Sequence, residues 1–271
     1  MSCRDPPLEG SSEFLWTHLY PALLRVAMAN SDHNWEVWGT RDPYYAVLTD
    51  PRYRSGIIDA NREAFFDGGQ AFVPHMLGLI EQHFGALSRN RALDFGCGVG
   101  RLTIPLAGQF TSVVGVDISS AMLSEARRNS PDLNIDYVLS DDRLSQVEGT
   151  FDFINTCIVL QHIPVRRGMV LVAELLKRVR PGGGCLIHVS TKRNFGWRGE
   201  LRYRLRHHVP VGQAIMNLID GKPAGAPVMQ MNEYSLNAVL RQFNQHGFEN
   251  LLVRYEDHGG IDTAMILSRR S

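Results

Sequence analysis

The chain is poor in features that mark zinc sites, membrane spans and secretion. Its four cysteines, at positions 3, 97, 157 and 185, include no C-x-x-C pair, so we expect no metal site. Three of them lie in or beside apolar runs, which predicts buried thiols and a reducing, cytoplasmic location. No apolar run is long enough to span a bilayer, and no basic segment followed by an apolar block opens the chain. We therefore expect neither a membrane span nor a signal peptide.

An excess of charge of one sign is also missing. The 28 basic and 28 acidic residues cancel, so the chain lacks the basic footprint that is usual in proteins that bind nucleic acid. Its apolar content of 44% is that of a globular protein, and 271 residues suffice for one large α/β domain with additions or for two small domains. We expect no nucleic-acid partner, and nothing in the sequence indicates the oligomeric state.

From residue 91 onward, strand and helix patterns alternate, which is typical of a parallel sheet covered by helices. Predicted strands cover residues 91–95, 112–117, 134–139, 151–156, 185–190, 251–255 and 263–268. Predicted helices cover residues 98–110 with a kink at Pro105, 120–129 after an N-cap at Ser119 or Ser120, 165–180, and 234–246. The run Pro-Gly-Gly-Gly at 181–184 is interpreted as a helix stop.

The segment before this alternation has a helical pattern, and we predict a helical N-terminal cap over residues 1–88 and a core domain over residues 89–271. In the cap, one helix is predicted between residues 12 and 30, kinked or divided at Pro21. A second runs from about residue 61 to residue 84, with candidate interruptions at Gly68-Gly69 and Pro74. In the core, residues 191–232 break the strand–helix rhythm and are predicted to be an insertion.

The most informative stretch reads Ala-Leu-Asp-Phe-Gly-Cys-Gly-Val-Gly-Arg, from Ala92 to Arg101. Its three glycines directly follow a predicted strand. Glycine permits a positive φ and a close approach of ligand to backbone, and the following helix presents free N–H groups. The pattern therefore predicts a nucleotide-binding loop. The dinucleotide fingerprint G-x-G-x-x-G would need a third glycine at position 101, where this chain has Arg101.

An acidic residue, Asp117, ends the second predicted strand. A carboxylate at this position can accept hydrogen bonds from both ribose hydroxyls of a nucleotide, as in other doubly wound folds. The alternative is an aspartate that serves only the turn or the N-terminus of the next helix.

Five landmarks in order over residues 91–190 resemble the class I S-adenosylmethionine (SAM) dependent methyltransferases of the small-molecule type. They are the G-x-G-x-G loop after Leu-Asp, Asp117, the acidic run Ser140-Asp141-Asp142, Phe151-Asp152-Phe153-Ile154, and Arg180-Pro-Gly-Gly-Gly before strand five. The resemblance implies an α/β fold with a Rossmann-like, seven-stranded, mostly parallel sheet sandwiched by helices. It also implies SAM as cofactor, S-adenosylhomocysteine as product, and a cap and an insertion that cover the substrate.

The resemblance further implies which residues bind the cofactor. These are Asp94, Gly96, Cys97, Gly98, Gly100, Arg101, Asp117, Ile118, Asp141, Asp142 and Thr156. Asp141, or in second place Asp142, would receive the adenine amino group, although two adjacent loop aspartates are also typical of a solvated turn. Asp152 is expected to be structural.

The implied reaction is direct, in-line transfer of a methyl group to an O, N, S or C atom of the acceptor, helped by positioning and exclusion of water. A base is needed only if the nucleophile must lose a proton. His162, after strand four, is the candidate base, and a pocket wall is the alternative. His188 is expected to be buried within strand five, and His207-His208 are expected to be solvated.

Candidate substrate-binding residues lie in the cap and in the insertion. Tyr44 and Tyr45, together with Trp35 and Trp38, could stack on a ligand or serve as packing anchors. Arg202 and Arg206 belong to a basic series that also contains Arg198 and Arg204. All four would share a face on a strand, but on a helix only 202 and 206 would. They could bind an anionic small molecule or a glycan or lipid precursor, or form a solvated face.

Four other functions remain as alternatives. Methyltransferases that act on exocyclic amino groups of bases carry a Pro-Pro pair after strand four, where this chain reads Asn155-Thr-Cys-Ile. A protein methyltransferase is a further option. An NAD(P)-dependent oxidoreductase is disfavoured by Arg101. A non-catalytic SAM-binding module stays open, because direct methyl transfer does not require a recognisable base.

Overall fold

A computed structural model of the chain describes residues 31–209 and 211–271. The helix predicted between residues 12 and 30 lies outside them. The described residues fall into two compact units, one made of residues 31–195 and 229–271 and the other of residues 196–228. The helices between residues 31 and 84 belong to the same compact unit as the sheet.

The larger unit begins with three helices, α1 (Ser31–Arg41), α2 (Pro43–Val47) and α3 (Arg62–Phe84). Strands and helices then alternate: β1 (Arg91–Phe95), α4 (Thr103–Ala107), β2 (Ser112–Asp117), α5 (Ser120–Asn129), β3 (Ile135–Leu139), β4 (Phe151–Thr156), α6 (Val165–Arg178) and β5 (Val179–Arg193). The smaller unit contains α7 (Gly196–His208) and α8 (Gly212–Ile219). The chain ends with α9 (Leu236–Gln245), β6 (Leu251–Asp257) and β7 (Ile261–Arg269).

The seven strands form one sheet in the order β3-β2-β1-β4-β5-β7-β6, with β7 antiparallel to both of its neighbours. Apolar side chains cover both faces. On one face Leu171 and Phe243 belong to the core under α6 and α9, and on the other Ile80 and Leu106 belong to the core under α3 and α4. This arrangement confirms the predicted fold class, and the crossover between β1 and β4 creates the crevice in which such sheets bind ligands.

The helix predicted over residues 98–110 is much shorter in the structure. Only Thr103–Ala107 is helical, because Gly98 and Gly100 have φ of +52° and +89° and so form turns that a right-handed helix cannot contain. Pro105 therefore lies inside a five-residue helix. The next helix is as predicted: Ser119 caps it, and its side chain accepts a hydrogen bond from Met122 N.

The turn predicted at 181–184 is part of a strand, since β5 starts at Val179. The pairing partner supplies the reason: Gly182 N donates to Arg270 O, and Arg270 N donates to Gly183 O. The ladder with the end of the chain thus extends β5 through a Pro-Gly-Gly sequence that would otherwise stop a helix. Likewise α3 runs without interruption through Gly68-Gly69 and Pro74. A Cβ at Gly69 would lie 2.2 Å from Arg101 O, so this glycine permits close packing of α3 on the loop after β1.

Candidate functional site

The loop after β1 turns sharply beneath the end of β2. The backbone N–H groups of Gly96 and Cys97 both donate to Val116 O, at 2.7 and 3.0 Å. Gly96 has φ of +74°, and a Cβ there would lie 2.4 Å from Val159 Cγ2. The position therefore needs glycine both for its backbone conformation and for its contact with the loop after β4.

Asp117 ends β2 directly beside this loop. Its Oδ2 accepts a hydrogen bond from Gly98 N–H at 2.9 Å, and its Oδ1 accepts one from Ser119 N–H at 2.9 Å. The side chain is buried, and burial raises its pKa to about 6, although the backbone donors act in the opposite direction. A carboxylate has about four lone-pair sites, so one that accepts a few backbone hydrogen bonds retains acceptor capacity for ligand hydroxyls.

A single cavity of about 1040 Å³, which includes its open mouth, lies at the carboxyl ends of β1, β2, β3 and β4. Ten of the predicted site residues line it: Asp94, Gly96, Cys97, Gly98, Arg101, Asp117, Ile118, Asp141, Asp142 and His162. Further lining residues that the sequence analysis did not place in the site include Ser31, Asp32, Leu48, Ile158, Val159, Arg167 and Leu171. Its position, at the point where the strand order reverses, is that of a ligand site in a doubly wound fold.

Two of the lining residues hold the cavity floor together. The buried carboxylate of Asp94 accepts hydrogen bonds from Thr103 Oγ1 at 2.6 Å and from Asn155 Nδ2 at 2.7 Å, and so links β1 to α4 and to β4. Arg101 donates from Nε to Phe65 O at 3.3 Å, and burial lowers the pKa of its guanidinium. A buried cation in the wall favours an anionic group on the ligand.

The two aspartates after β3 have different partners. Asp141 accepts hydrogen bonds from the Ser145 hydroxyl and from the backbone N–H groups of Ser145 and Arg143, the last two at 2.9 Å. These bonds, that of the hydroxyl first, keep its pKa below the usual value. Asp142 instead accepts from Arg167, whose guanidinium also donates to Asp32 of α1 at 3.0 and 3.1 Å. Arg167 therefore ties α1 to the loop after β3 across the cavity.

His162 ends a single 3-10 turn, Leu160–His162, after β4 and is buried in the cavity wall. Its Nδ1 lies 2.7 Å from Gln230 O, which requires a proton on Nδ1 and leaves a lone pair on Nε2. The Nε2 atoms of Gln161 and His162 are 3.3 Å apart, and the ring centroids of Trp35 and His162 are 4.9 Å apart. Burial lowers the pKa of His162 to about 4, so the ring is neutral at pH 7.

Residues 92–183 match the family model described as "Methyltransferase domain". Over 114 residues the chain is 36% identical to a ubiquinone biosynthesis O-methyltransferase of Burkholderia ambifaria (strain MC40-6), which covers 41% of this chain and 48% of that relative. The chain thus spans about half the length of the curated relatives it matches. Residues 92–183 of this chain are thus similar to a methyltransferase domain.

Solved structures share this fold. Magnesium protoporphyrin IX methyltransferase from Synechocystis PCC 6803, solved with bound SAM, aligns with a TM-score of 0.57 at 16% identity over 89% of this chain and 98% of that chain. An N-methyltransferase from Bradyrhizobium japonicum WM9, in complex with S-adenosyl-L-homocysteine, aligns with a TM-score of 0.54 at 15% identity over the same shares of the two chains.

Four predicted site residues of the larger unit lie outside the lining of the cavity. Gly100 packs against Tyr137, since a Cβ at Gly100 would lie 3.0 Å from the Tyr137 hydroxyl. Thr156 is fully buried in β4. Tyr44 is buried, and its hydroxyl is bonded to Glu125 at 2.7 Å. Tyr45 packs against Trp38 and under the Arg54 guanidinium. Both tyrosines are packing anchors in this structure rather than cavity walls.

The remaining predicted substrate residues, Arg202 and Arg206, belong to the smaller unit. They lie on helix α7, so the helical one of the two alternatives holds. Arg198, Arg202 and Arg206 follow one another at intervals of four residues and share a face, rather than Arg202 and Arg206 alone. The guanidiniums of Arg202 and Arg206 pair with Asp220. His207 and His208 end α7 with their rings 4.3 and 6.3 Å from Tyr203.

His188 is buried in β5, as predicted, and has a partner on one nitrogen. Its Nδ1 accepts a hydrogen bond from Ile158 N–H at 3.0 Å, and burial lowers its pKa to about 3. Ile158 has φ of +61°, which is unusual for a β-branched residue, and this bond stabilises the loop between β4 and His162.

The described residues, 31–209 and 211–271, contain neither a metal-binding cluster nor a membrane-spanning helix. No group of three or more histidine, cysteine, aspartate or glutamate side chains there is arranged to hold a metal ion. None of the helices in the same ranges combines the length and the apolar character needed to cross a bilayer.

Proposed function

We propose that this chain is a SAM-dependent methyltransferase that methylates a small-molecule or glycan- or lipid-precursor acceptor. The observation that carries the proposal is the convergence of the Gly96–Gly100 loop and the Asp117 carboxylate on one cavity. The match of residues 92–183 to a methyltransferase domain supports it, as do the fold relatives solved with SAM or S-adenosylhomocysteine.

The residues present fit SAM. A Cβ at Gly96 or Gly98 would collide with Val159 or Val47, so both positions need glycine, and both glycines line the cavity, where ligand can approach their backbone. Asp117 would accept the ribose hydroxyls, and Asp141 or Asp142 would accept the adenine amino group. Arg101, a cation in the wall, would receive the carboxylate of the methionine part. Asp94, Cys97 and Ile118 would complete the walls, while Gly100 and Thr156 would support them from behind.

When bound, SAM would supply an electrophilic methyl group. The chain would orient the acceptor atom in line with the methyl group and exclude water, and the acceptor would occupy the part of the cavity bounded by Trp35, Ile158 and His162. The neutral His162 ring has a lone pair on Nε2, which in this structure faces Gln161 Nε2 at 3.3 Å and would exchange that amide for the acceptor. It would hold the O–H or N–H of the nucleophile and take its proton as the new bond to the methyl group forms.

Calorimetry on the full chain with SAM, S-adenosylhomocysteine and NAD tests the proposal. We expect both sulfur nucleosides to bind and NAD to bind much more weakly. Asp117→Ala should weaken SAM binding by about 2–4 kcal/mol, the range for loss of charge-assisted hydrogen bonds. Asp136→Ala, an exposed aspartate on the neighbouring strand, is the matched control and should leave the affinity unchanged. NAD binding without SAM binding would overturn the assignment.

A further inference from the structure

Helix α8 in the smaller unit exposes apolar side chains and buries a polar one. Ile215, Leu218 and Ile219 are 49%, 62% and 62% exposed, and they fall on one face at helical spacing. The buried side chain is polar: Asn217 is 1% exposed and donates to Ala224 O at 3.1 Å and to Ala226 O at 2.9 Å. A helix that buried its apolar face within its own unit would show the opposite arrangement.

Helix α7 presents a second apolar stripe. Trp197, Leu201 and Leu205 are spaced four residues apart, which places them on one face, and they are 73%, 51% and 40% exposed. By helical position, Arg198 and Arg204 border this stripe on its two sides. The two helices pack closely at one point, since a Cβ at Gly212 would lie 1.9 Å from Leu205 O. They form a hairpin with several large apolar side chains in contact with solvent.

The hairpin also carries an excess of positive charge. Residues 196–222 contain five arginines and lysines but only two acidic residues, in a chain whose formal net charge is zero. Asp220 pairs with Arg202 and Arg206, and Glu200 pairs with Arg204. Arg198, at the border of the apolar stripe, and Lys222 are exposed. Apolar area and excess cations thus occur on the same short segment.

We propose that the α7–α8 hairpin is a docking surface for anionic lipid bilayers, with its apolar side chains at the acyl boundary and its cations at the lipid phosphates. Tryptophan and aliphatic side chains on one face with arginines at the border are the pattern of helices that lie in a membrane interface. Long arginine side chains can reach the headgroups from that depth. A second copy of the chain fits less well, because a symmetric contact through this surface would set cations against cations.

Sedimentation of the full chain with lipid vesicles tests this surface and needs neither SAM nor an acceptor, so it is independent of the proposed enzymatic function. The vesicles are pure phosphatidylcholine, or phosphatidylcholine mixed with phosphatidylglycerol at a ratio of about 7:3. We expect binding to the mixed vesicles that weakens as salt is raised, and at least about tenfold weaker binding to the neutral ones.

The triple variant Trp197→Ser, Leu218→Ser, Ile219→Ser should reduce partitioning to the mixed vesicles by about tenfold or more, because it removes the most exposed apolar side chains of the hairpin. The matched control replaces exposed apolar residues elsewhere: Ile57→Ser, Val170→Ser, Tyr255→Ser, which are 51%, 50% and 59% exposed. Circular dichroism and urea unfolding report whether each variant is folded.

Three outcomes would overturn the proposal. One is absence of binding to either vesicle, and another is equal partitioning of the triple variant and the unchanged chain. The third is a dimer of the unchanged chain in light scattering that becomes a monomer in the triple variant, which would assign the surface to a second copy. The double variant Arg198→Glu, Lys222→Glu tests the contribution of the two exposed cations and should remove the preference for anionic vesicles.

Discussion

The backbone N–H of Gly98 donates to the Asp117 carboxylate over 2.9 Å. This bond joins the glycine loop after β1 to the acid at the end of β2, so the two parts of the proposed nucleotide site have a fixed relation before ligand binds. It also places a carboxylate with a pKa of about 6 at the point where the ribose would bind.

The first prediction is that SAM affinity depends on pH through Asp117. Burial raises its pKa, so the carboxylate takes up a proton as the pH falls through about 6 and then loses acceptor capacity for ribose hydroxyls. Affinity should be level above pH 7 and fall by up to about tenfold for each unit below pH 6, as linkage requires. Calorimetry between pH 5 and pH 8 measures this. A dissociation constant that stays the same over that range would argue against the role of Asp117.

The second prediction concerns His162. Its neutral ring offers a lone pair at Nε2, so His162→Ala should lower kcat by about 100-fold or more while the SAM dissociation constant changes little. The rate is measured as S-adenosylhomocysteine release with an acceptor that the unchanged chain methylates. Because burial lowers the pKa of His162 to about 4, its ionisation should produce no inflection in kcat between pH 6 and pH 9.

His83→Ala is the matched control for this change, since His83 is exposed on α3. It should leave both kcat and SAM affinity unchanged. Full activity of His162→Ala from pH 6 to pH 9 would reduce His162 to a wall of the cavity.

The third prediction separates backbone strain from steric contact in the glycine loop. Gly56→Ala places a side chain at φ of +95° with no atom within 4 Å, so it should cost about 1–2 kcal/mol of unfolding free energy. Gly96→Ala has similar strain at φ of +74° and also a contact of 2.4 Å with Val159 Cγ2, so it should cost about 1–3 kcal/mol more. Urea unfolding measures both. Adding Val159→Ala should recover part of the difference, and equal costs for the two glycine variants would contradict the contact.

The fourth prediction concerns the bridge made by Arg167 between Asp142 and Asp32. Arg167→Gln removes the charge that links α1 to the loop after β3, so amide exchange in α1 should become faster. SAM affinity should fall by about 1 kcal/mol, a modest loss because the three side chains are partly exposed. Arg166→Gln, the exposed neighbour, is the control. If both variants exchange at the same rate in α1, the bridge does not hold that helix.

Much of the sheet could be predicted because its strands are continuous apolar runs. The predicted bounds of β1, β2 and β4 match the structure residue for residue. The start of helix α4 could not be predicted in the same way. Residues 98–102 have a helical sequence pattern, but Gly98 and Gly100 have positive φ and keep them out of the helix. The start of β5 depends on pairing of Val179 with Phe151 and of Gly182 and Gly183 with Arg270, residues distant in sequence that local propensity cannot take into account.

The candidate site shows the same difference between features set by local sequence and features set by long-range contacts. Residues 92 to 117 determined by themselves the glycine loop, the acid at the end of β2 and the class of nucleotide expected, because those features follow from local spacing along consecutive strands. Only the tertiary structure brought Ser31, Asp32 and Arg167 to the cavity and placed Tyr44 and Tyr45 outside its lining. The physical reason is that these side chains are placed by long-range packing and ion pairs, such as that of Arg167 with Asp32, whose partners the spacing of residues in a sequence does not encode.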